Sequence, residues 1–157
     1  MLNGPVRSVQ QRLGRDTLEI GLWLNEAVVG DPSVESLRDD LDRLGVIVRG
    51  CNGFPQTSFH APVVKRSVYR PHWGQLERLQ YTKRLAEVLV KIGHGPIREI
   101  STVPIGHQEL GPEILPTAVV QLRVLVDFLT ALEDESGIRV VVDLEPEPDC
   151  LLECSSD

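Results

Sequence analysis

Positive charge is in short supply in this chain. Lysine and arginine number 16 against 23 aspartates and glutamates, a formal net charge of −7. That balance argues against a nucleic-acid backbone or an anionic membrane surface as partner. Cysteine is scarce as well. Cys51, Cys150 and Cys154 are few and odd in number, which argues against a disulfide framework and points to a reducing, cytoplasmic setting. Cys150 and Cys154 have no matching pair elsewhere in the sequence and do not argue for zinc. No apolar run is read as approaching the roughly 20 residues that span a bilayer. The first residues, Met1 to Arg7, lack the apolar core of a signal peptide, so no membrane insertion is expected. Also missing are the phosphate-cradling GxxxxGK[ST] loop, the dinucleotide fingerprint GxGxxG and the GxSxG nucleophile elbow.

What is present is enough apolar material for a core. The chain has 157 residues, 41% of them hydrophobic, the size and composition of one domain, residues 1–157. Residues 1–16 carry Val6, Val9 and Leu13 at helical spacing. Thr17 to Leu24 alternates Leu18, Ile20, Leu22 and Leu24 against Glu19, Gly21 and Trp23, the period of a strand. Asp31-Pro32-Ser33 supplies an N-cap and a first-turn proline for a helix with Val34, Leu37, Leu41 and Leu44 as its apolar stripe, closed by Gly45. Val46 to Arg49 is a short second strand. A long loop from Gly50 to Trp73 follows, of a length that is often functional. The next helix runs from about Gln75 to Ile92, with Leu76, Leu79, Ala86, Leu89 and Ile92 toward the core and Gly93 as its stop. Ile97 to Val103 is the third strand. Pro112 opens a further helix that carries Ala118, Leu122, Leu125, Val126, Leu129 and Leu132 on one face and ends near Gly137.

The last stretch, Ile138 to Asp149, begins with β-branched residues in the manner of a strand buried on both sides in a parallel sheet. Its alternation puts Val140, Val142 and Leu144 on one face and Asp143, Glu145 and Glu147 on the other. Pro146 and Pro148 cannot donate to the ladder, so the strand must end there in an acidic corner. Strict alternation of strand and helix means parallel strands with right-handed crossovers. Two architectures fit: a small open doubly wound sheet of four strands, or part of a (β/α)8 barrel, which usually needs about 250 residues. A chain that starts inside a helix and stops just after a strand favours the partial barrel.

Four segments carry a resemblance. NGFPQTSFHAPVVKRSVYRPHW (52–73), LERLQYTKRLAEVL (76–89), ISTVPIG (100–106) and LEPEPDCLLE (144–153) together resemble the EboE-type metabolite traffic proteins of the xylose-isomerase-like TIM-barrel superfamily. The resemblance runs from about Leu18 to Glu153. It implies a fragment holding about the second to fifth strands of the barrel. It also implies handling of a small polyol-like or phenolic metabolite, with metal-assisted isomerase or epimerase chemistry in a complete form. On the superfamily's pattern Glu145 matches the first ligand of a divalent metal (Zn²⁺, Mn²⁺ or Mg²⁺), and the segments that would carry the other ligands are not in this sequence. Family members have an aromatic residue and a lysine after the third segment; this chain has His107-Gln108, a departure at a shared substrate contact.

Read by their own chemistry, several residues are candidates beside their plainer roles. His60 could move a proton or hold a hydroxyl, or be a loop histidine with a structural bond. Asn52 could orient a sugar-like hydroxyl, although Asn-Gly is also a turn dipeptide. His107 stands in a comparable place after the next strand and is a candidate substrate contact. Lys65, Arg66 and Arg70 form a basic cluster, and His72 and His94 are expected on the surface. A carrier without catalysis, or an inactive gene fragment, are the competing readings. The free edges of a partial barrel are expected to favour self-association.

Overall fold

The computed structural model describes residues 3–56 and 65–154. Helix α1 (Asn3–Leu13) leads into strand β1 (Leu18–Trp23), a short helix α2 (Glu26–Val29), a 3-10 turn at Pro32–Ser36 and helix α3 (Leu37–Arg43). Strand β2 (Val46–Asn52), helix α4 (Leu76–Ile92), strand β3 (Ile97–Thr102), helix α5 (Leu115–Ser136) and strand β4 (Arg139–Leu144) follow. The four strands form one parallel sheet in sequential order, β1-β2-β3-β4. Sequential order with a helix between each pair is the winding of a barrel wall. An open doubly wound sheet reverses its order at a switch point instead. The chain is a partial TIM barrel.

Its boundaries have local causes. Asp31 Oδ1 accepts from the Ser33 amide and starts the turn that runs into α3. Gly45 and Gly137 take positive φ (65° and 69°) where α3 and α5 end, a conformation that costs glycine least. Arg98, on the helix-facing side of β3, donates to the Leu89 and Val90 carbonyls and so satisfies the C-terminal end of α4.

Among the described residues the helices cover one face of the sheet only. Val46, Val48, Cys51, Ile100 and Val140 are buried under them, with Leu41, Leu85, Leu89 and Ile92 as the facing side chains. A second cluster around fully buried Trp73 joins Leu79, Val103, Ala118 and Leu125 at the carboxyl end of the strands.

Several details differ from what the sequence led one to expect. Strand β2 continues to Asn52, past Arg49. Leu76 is 56% exposed because it sits in the first turn of α4, and the buried stripe begins at Arg78 and Leu79. Val126 is 60% exposed; the buried face of α5 runs through Ala118, Gln121 and Leu125, and Val126 lies beside it. Strand β4 is not buried on both sides. It is a sheet edge among the described strands, with Val141 exposed on the uncovered face. His94 is not a bare surface residue: its Nδ1 accepts from the Val48 amide at 3.0 Å and its Nε2 meets Asp42 at 2.8 Å, joining β2 to α3. Finally, Pro112–Ser136 is, by length and composition, long and apolar enough to cross a membrane. No other helix among the described residues reaches that length and composition. In this fold α5 lays Leu122, Phe128, Leu129 and Leu132 into the cores.

Candidate functional site

The uncovered face of the sheet is the candidate site. Register fixes its composition. Trp23 pairs with Asn52, Asn52 with Ser101, and Ser101 with Asp143, so one residue from each strand stands in a continuous row near the carboxyl ends. Neighbours in parallel register point to the same side. All four line a concavity of about 510 Å³. The next row back is Gly21, Gly50, Glu99 and Val141. Its two glycines put bare backbone beneath Trp23 and Asn52. A Cβ on Gly50 would lie 2.7 Å from the Glu99 carbonyl oxygen, so no larger residue fits without movement.

A bulge brings Asn52 onto this face. Ile20 pairs with Val48 but Gly21 pairs with Gly50, leaving Arg49 as an extra residue in β2. The alternation slips by one there. Val48 and then Cys51 face the helices, while Asn52 faces the concavity. Burial among apolar groups holds the Cys51 thiol protonated, its pKa pushed up to about 12.

The loop after β2 is fastened on several sides. Gly53 N–H donates to the Ser101 carbonyl at 2.7 Å, and the Trp23 indole N–H donates to the Pro55 carbonyl at 2.8 Å. Asn52 Oδ1 accepts from the Phe54 amide at 3.0 Å. Asn52 is thus a turn residue and a site residue at once, with its amide nitrogen left to donate among the described residues. Beneath the loop lies Arg78, which is fully buried and donates to the Pro71 carbonyl at 2.7 Å and the Gly53 carbonyl at 2.6 Å. Its guanidinium carbon lies 5.8 Å from the centre of the Tyr81 ring, and the Tyr81 hydroxyl donates to the Leu24 carbonyl at 2.5 Å.

Charge in the concavity is mostly negative. Glu19, Glu99 and Asp143 line it against one guanidinium, Arg49, which pairs with Glu19 at 3.0 Å. The formal excess of two negative charges favours neutral or cationic guests over phosphorylated ones.

The other sequence candidates fall in different places. His107 caps the turn Gln108–Leu110, its Nδ1 accepting from the Glu109 amide, and its backbone bridges to Cys150. Its ring lies 6.3 Å from that of Tyr69 and lines a smaller cleft of about 130 Å³ with exposed Arg70. The structure does not bring it to Asn52. Glu145 is half-buried one pleat beyond Asp143, its amide donating to the Thr102 carbonyl at 3.0 Å as if the ladder continued. Glu147 accepts from the Tyr69 hydroxyl, which raises the phenol's pKa well above its usual value. His60 lies outside the described residues, as do the side chains of Lys65 and Arg66. His72 is half-buried, accepts from the Gly74 amide at 3.1 Å, and has its pKa lowered by burial and by Arg70 and Arg78.

Among the described residues no three His, Cys, Asp or Glu side chains converge on a point where a metal could sit. Glu145 offers one carboxylate, and divalent cations want several ligands. The described donor set does not fit a metal centre. Sequence reasoning named Asn52 and the acidic face of β4. It did not single out Trp23, Ser101 or Arg78. For the first two the missing signal is strand register; for Arg78 it is an arginine inside an otherwise apolar helix stripe.

The chain superposes on the crystal structure of a xylose isomerase domain protein from Planctomyces limnophilus with a TM-score of 0.53 at 20% sequence identity. The match covers 89% of this chain and 49% of that one, so this chain spans about half the length of that protein. No protein-family model and no curated protein matches the sequence. The likeness is one of fold: the wall of a β/α barrel. In such barrels the carboxyl ends of the strands face the ligand, the end where Trp23, Asn52, Ser101 and Asp143 stand.

Proposed function

We propose that the open face of the sheet binds a small, neutral, hydroxyl-rich metabolite, in the manner expected of an EboE-type metabolite-processing barrel. The observation that carries this reading is the in-register row Trp23, Asn52, Ser101 and Asp143. An indole held by its N–H supplies an apolar platform, and an amide, a hydroxyl and a carboxylate supply donors and acceptors at strand spacing. That is the polar-on-apolar pattern a polyol or a phenolic alcohol needs. The excess negative charge in the concavity weighs against sugar phosphates. If further strands complete the barrel, isomerisation or epimerisation is the reaction class, with Glu145 as one carboxylate of a larger ligand set and His60 as the proton-transfer group. Binding by the open face does not depend on either.

The test uses the chain's own fluorescence. Of its two tryptophans, Trp73 is fully buried in the core and Trp23 lines the concavity. Titration with neutral pentoses, hexoses, cyclitols and simple phenols should change the emission of the wild type and not of Trp23→Phe. Asn52→Ala and Asp143→Asn should each weaken binding about tenfold, the worth of roughly one hydrogen bond. Preference for a sugar phosphate over its neutral parent would overturn the charge argument. Silence toward every neutral compound at millimolar concentration would overturn the reading as a whole.

A further inference from the structure

Both edges of the sheet and both flanking helix surfaces are open among the described residues, and they complement each other. At one edge, β4 and α5 form an apolar groove of about 360 Å³ lined by Leu122, Leu125, Val126, Leu129, Val140 and Val142. At the other edge α1 precedes β1. Its Val6 packs into the core, while Val9 and Leu13, one turn apart, are 44% and 57% exposed. In a β/α barrel the helix that precedes a strand covers the seam between that strand and the previous one. Helix α1 therefore has the position and the apolar flank of a helix that covers a seam, with no strand among the described residues beyond β1 for it to cover.

Charge points the same way. Helix α1 carries Arg7 and Arg12 and no acidic residue, with Arg15 just after it. The last turns of α5 carry Glu133, Asp134 and Glu135. Both helices run antiparallel to the strands, so their carboxyl ends would lie side by side across a shared seam.

We propose that two copies of this chain close into one eight-stranded barrel about a twofold axis, with β1 of each copy alongside β4 of the other and α1 of each seated in the α5–β4 groove of the other. Four sequential strands per copy supply the eight that closure requires, and each copy spans about half of the longer barrel protein it superposes on. The arrangement leaves no free parallel edge and encloses the concave face, which would carry two copies of the Trp23–Asp143 row.

Light scattering coupled to size exclusion on the 157-residue chain tests this. The expected mass is that of two 17.5 kDa chains at micromolar concentration. Val9→Glu and Val126→Glu, both at exposed positions and so compatible with a folded chain, should each return the protein to a monomer with unchanged helical circular dichroism. Leu76→Glu, equally exposed but away from the seam, should leave the dimer intact. A wild-type monomer, an open-ended oligomer, or a dimer indifferent to both seam variants would overturn the proposal whatever the variants' stability. So would a monomer that binds lipid vesicles through α5, which would assign the apolar flank to a bilayer.

Discussion

Replacing Arg78 by methionine keeps most of the side chain's volume and removes its charge. Two terms of opposite sign decide the outcome. The guanidinium makes two hydrogen bonds to the Pro71 and Gly53 carbonyls. At about 1.5–3 kcal/mol each for bonds to a charged group, their loss costs about 3–6 kcal/mol. Against this, burial lowers the arginine's pKa from 12.5 to about 10, equivalent to about 3 kcal/mol of unfavourable dehydration that an apolar side chain does not incur. One terminal nitrogen, Nη2, has no partner within the described residues, so the arginine's bonding capacity is only partly used. The difference is a net destabilisation centred on about 1.5 kcal/mol, which for a chain of this length lowers the melting temperature by about 3–6 °C. Urea unfolding followed by circular dichroism measures it. Arg78→Lys should fall between, since an ammonium cannot span both carbonyls as a planar fork does. The loss should also reach the site, because Gly53 follows Asn52 and the same loop holds the Trp23 indole through Pro55. Trp23 emission should shift in Arg78→Met before unfolding begins. A variant as stable as the wild type would mean that dehydration outweighs the two bonds, and the assignment of Arg78 as the fastener of this loop would be refuted.

Gly50→Ala should destabilise by about 1–3 kcal/mol, because the new methyl meets backbone of β3 rather than a side chain that could swing away; chemical denaturation reads it, and a neutral result would mean that β2 and β3 stand further apart than described. His72 gives a pH dependence. Its folded pKa lies below the unfolded value near 6.5, so the unfolded chain takes up the proton first as pH falls. Its contribution is fully present above 6.5 and is lost as pH drops through that value toward the lower folded pKa. Melting temperatures across pH 5 to 8 should fall on the acid side, and His72→Asn should flatten that part of the profile; an unchanged slope in the variant would assign the acid sensitivity to other groups.

Much of the architecture is legible in the sequence because it depends on local rules. Alternation in Leu18 to Leu24 and the β-branched run that opens at Ile138 placed the first and last strands, and Gly45, Gly93 and Gly137 marked the helix ends. The period of two along the last strand put Asp143 on the face opposite Val140 and Val142, where the structure has it. What failed was local pattern applied where tertiary position decides. Leu76 and Val126 satisfy helical spacing, yet neither faces the core, because the packed sheet does not reach the first turn of α4 or the outer flank of α5. Arg78 reads as a solvent residue by type, and only the two carbonyls converging on it explain its burial.

The site was less legible for a more specific reason. In Val46-Ile47-Val48-Arg49-Gly50-Cys51-Asn52 a regular strand would group Val46, Val48, Gly50 and Asn52 on one face and Ile47, Arg49 and Cys51 on the other. On that phase Asn52 would point into the helix layer with the valines, and Cys51 would be exposed. The bulge at Arg49 reverses both assignments, and no residue type announces it: Gly50 tolerates a bulge, but it would serve equally well in an unbroken strand that approaches β3 closely. The slip is fixed by pairing, since β1 matches Val48 with Ile20 and Gly50 with Gly21. The phase slip at Arg49 therefore decides whether the row from Trp23 to Asp143 is continuous in this sequence. Deleting Arg49 removes the extra residue and leaves an unbroken strand with Val46, Val48 and Cys51 on the helix face and Gly50 and Asn52 on the concave face, so Trp23-detected binding should survive the deletion as it survives Arg49→Ala. Loss of binding in the deletion alone would show that the row depends on the bulge itself and not only on the face it gives Asn52.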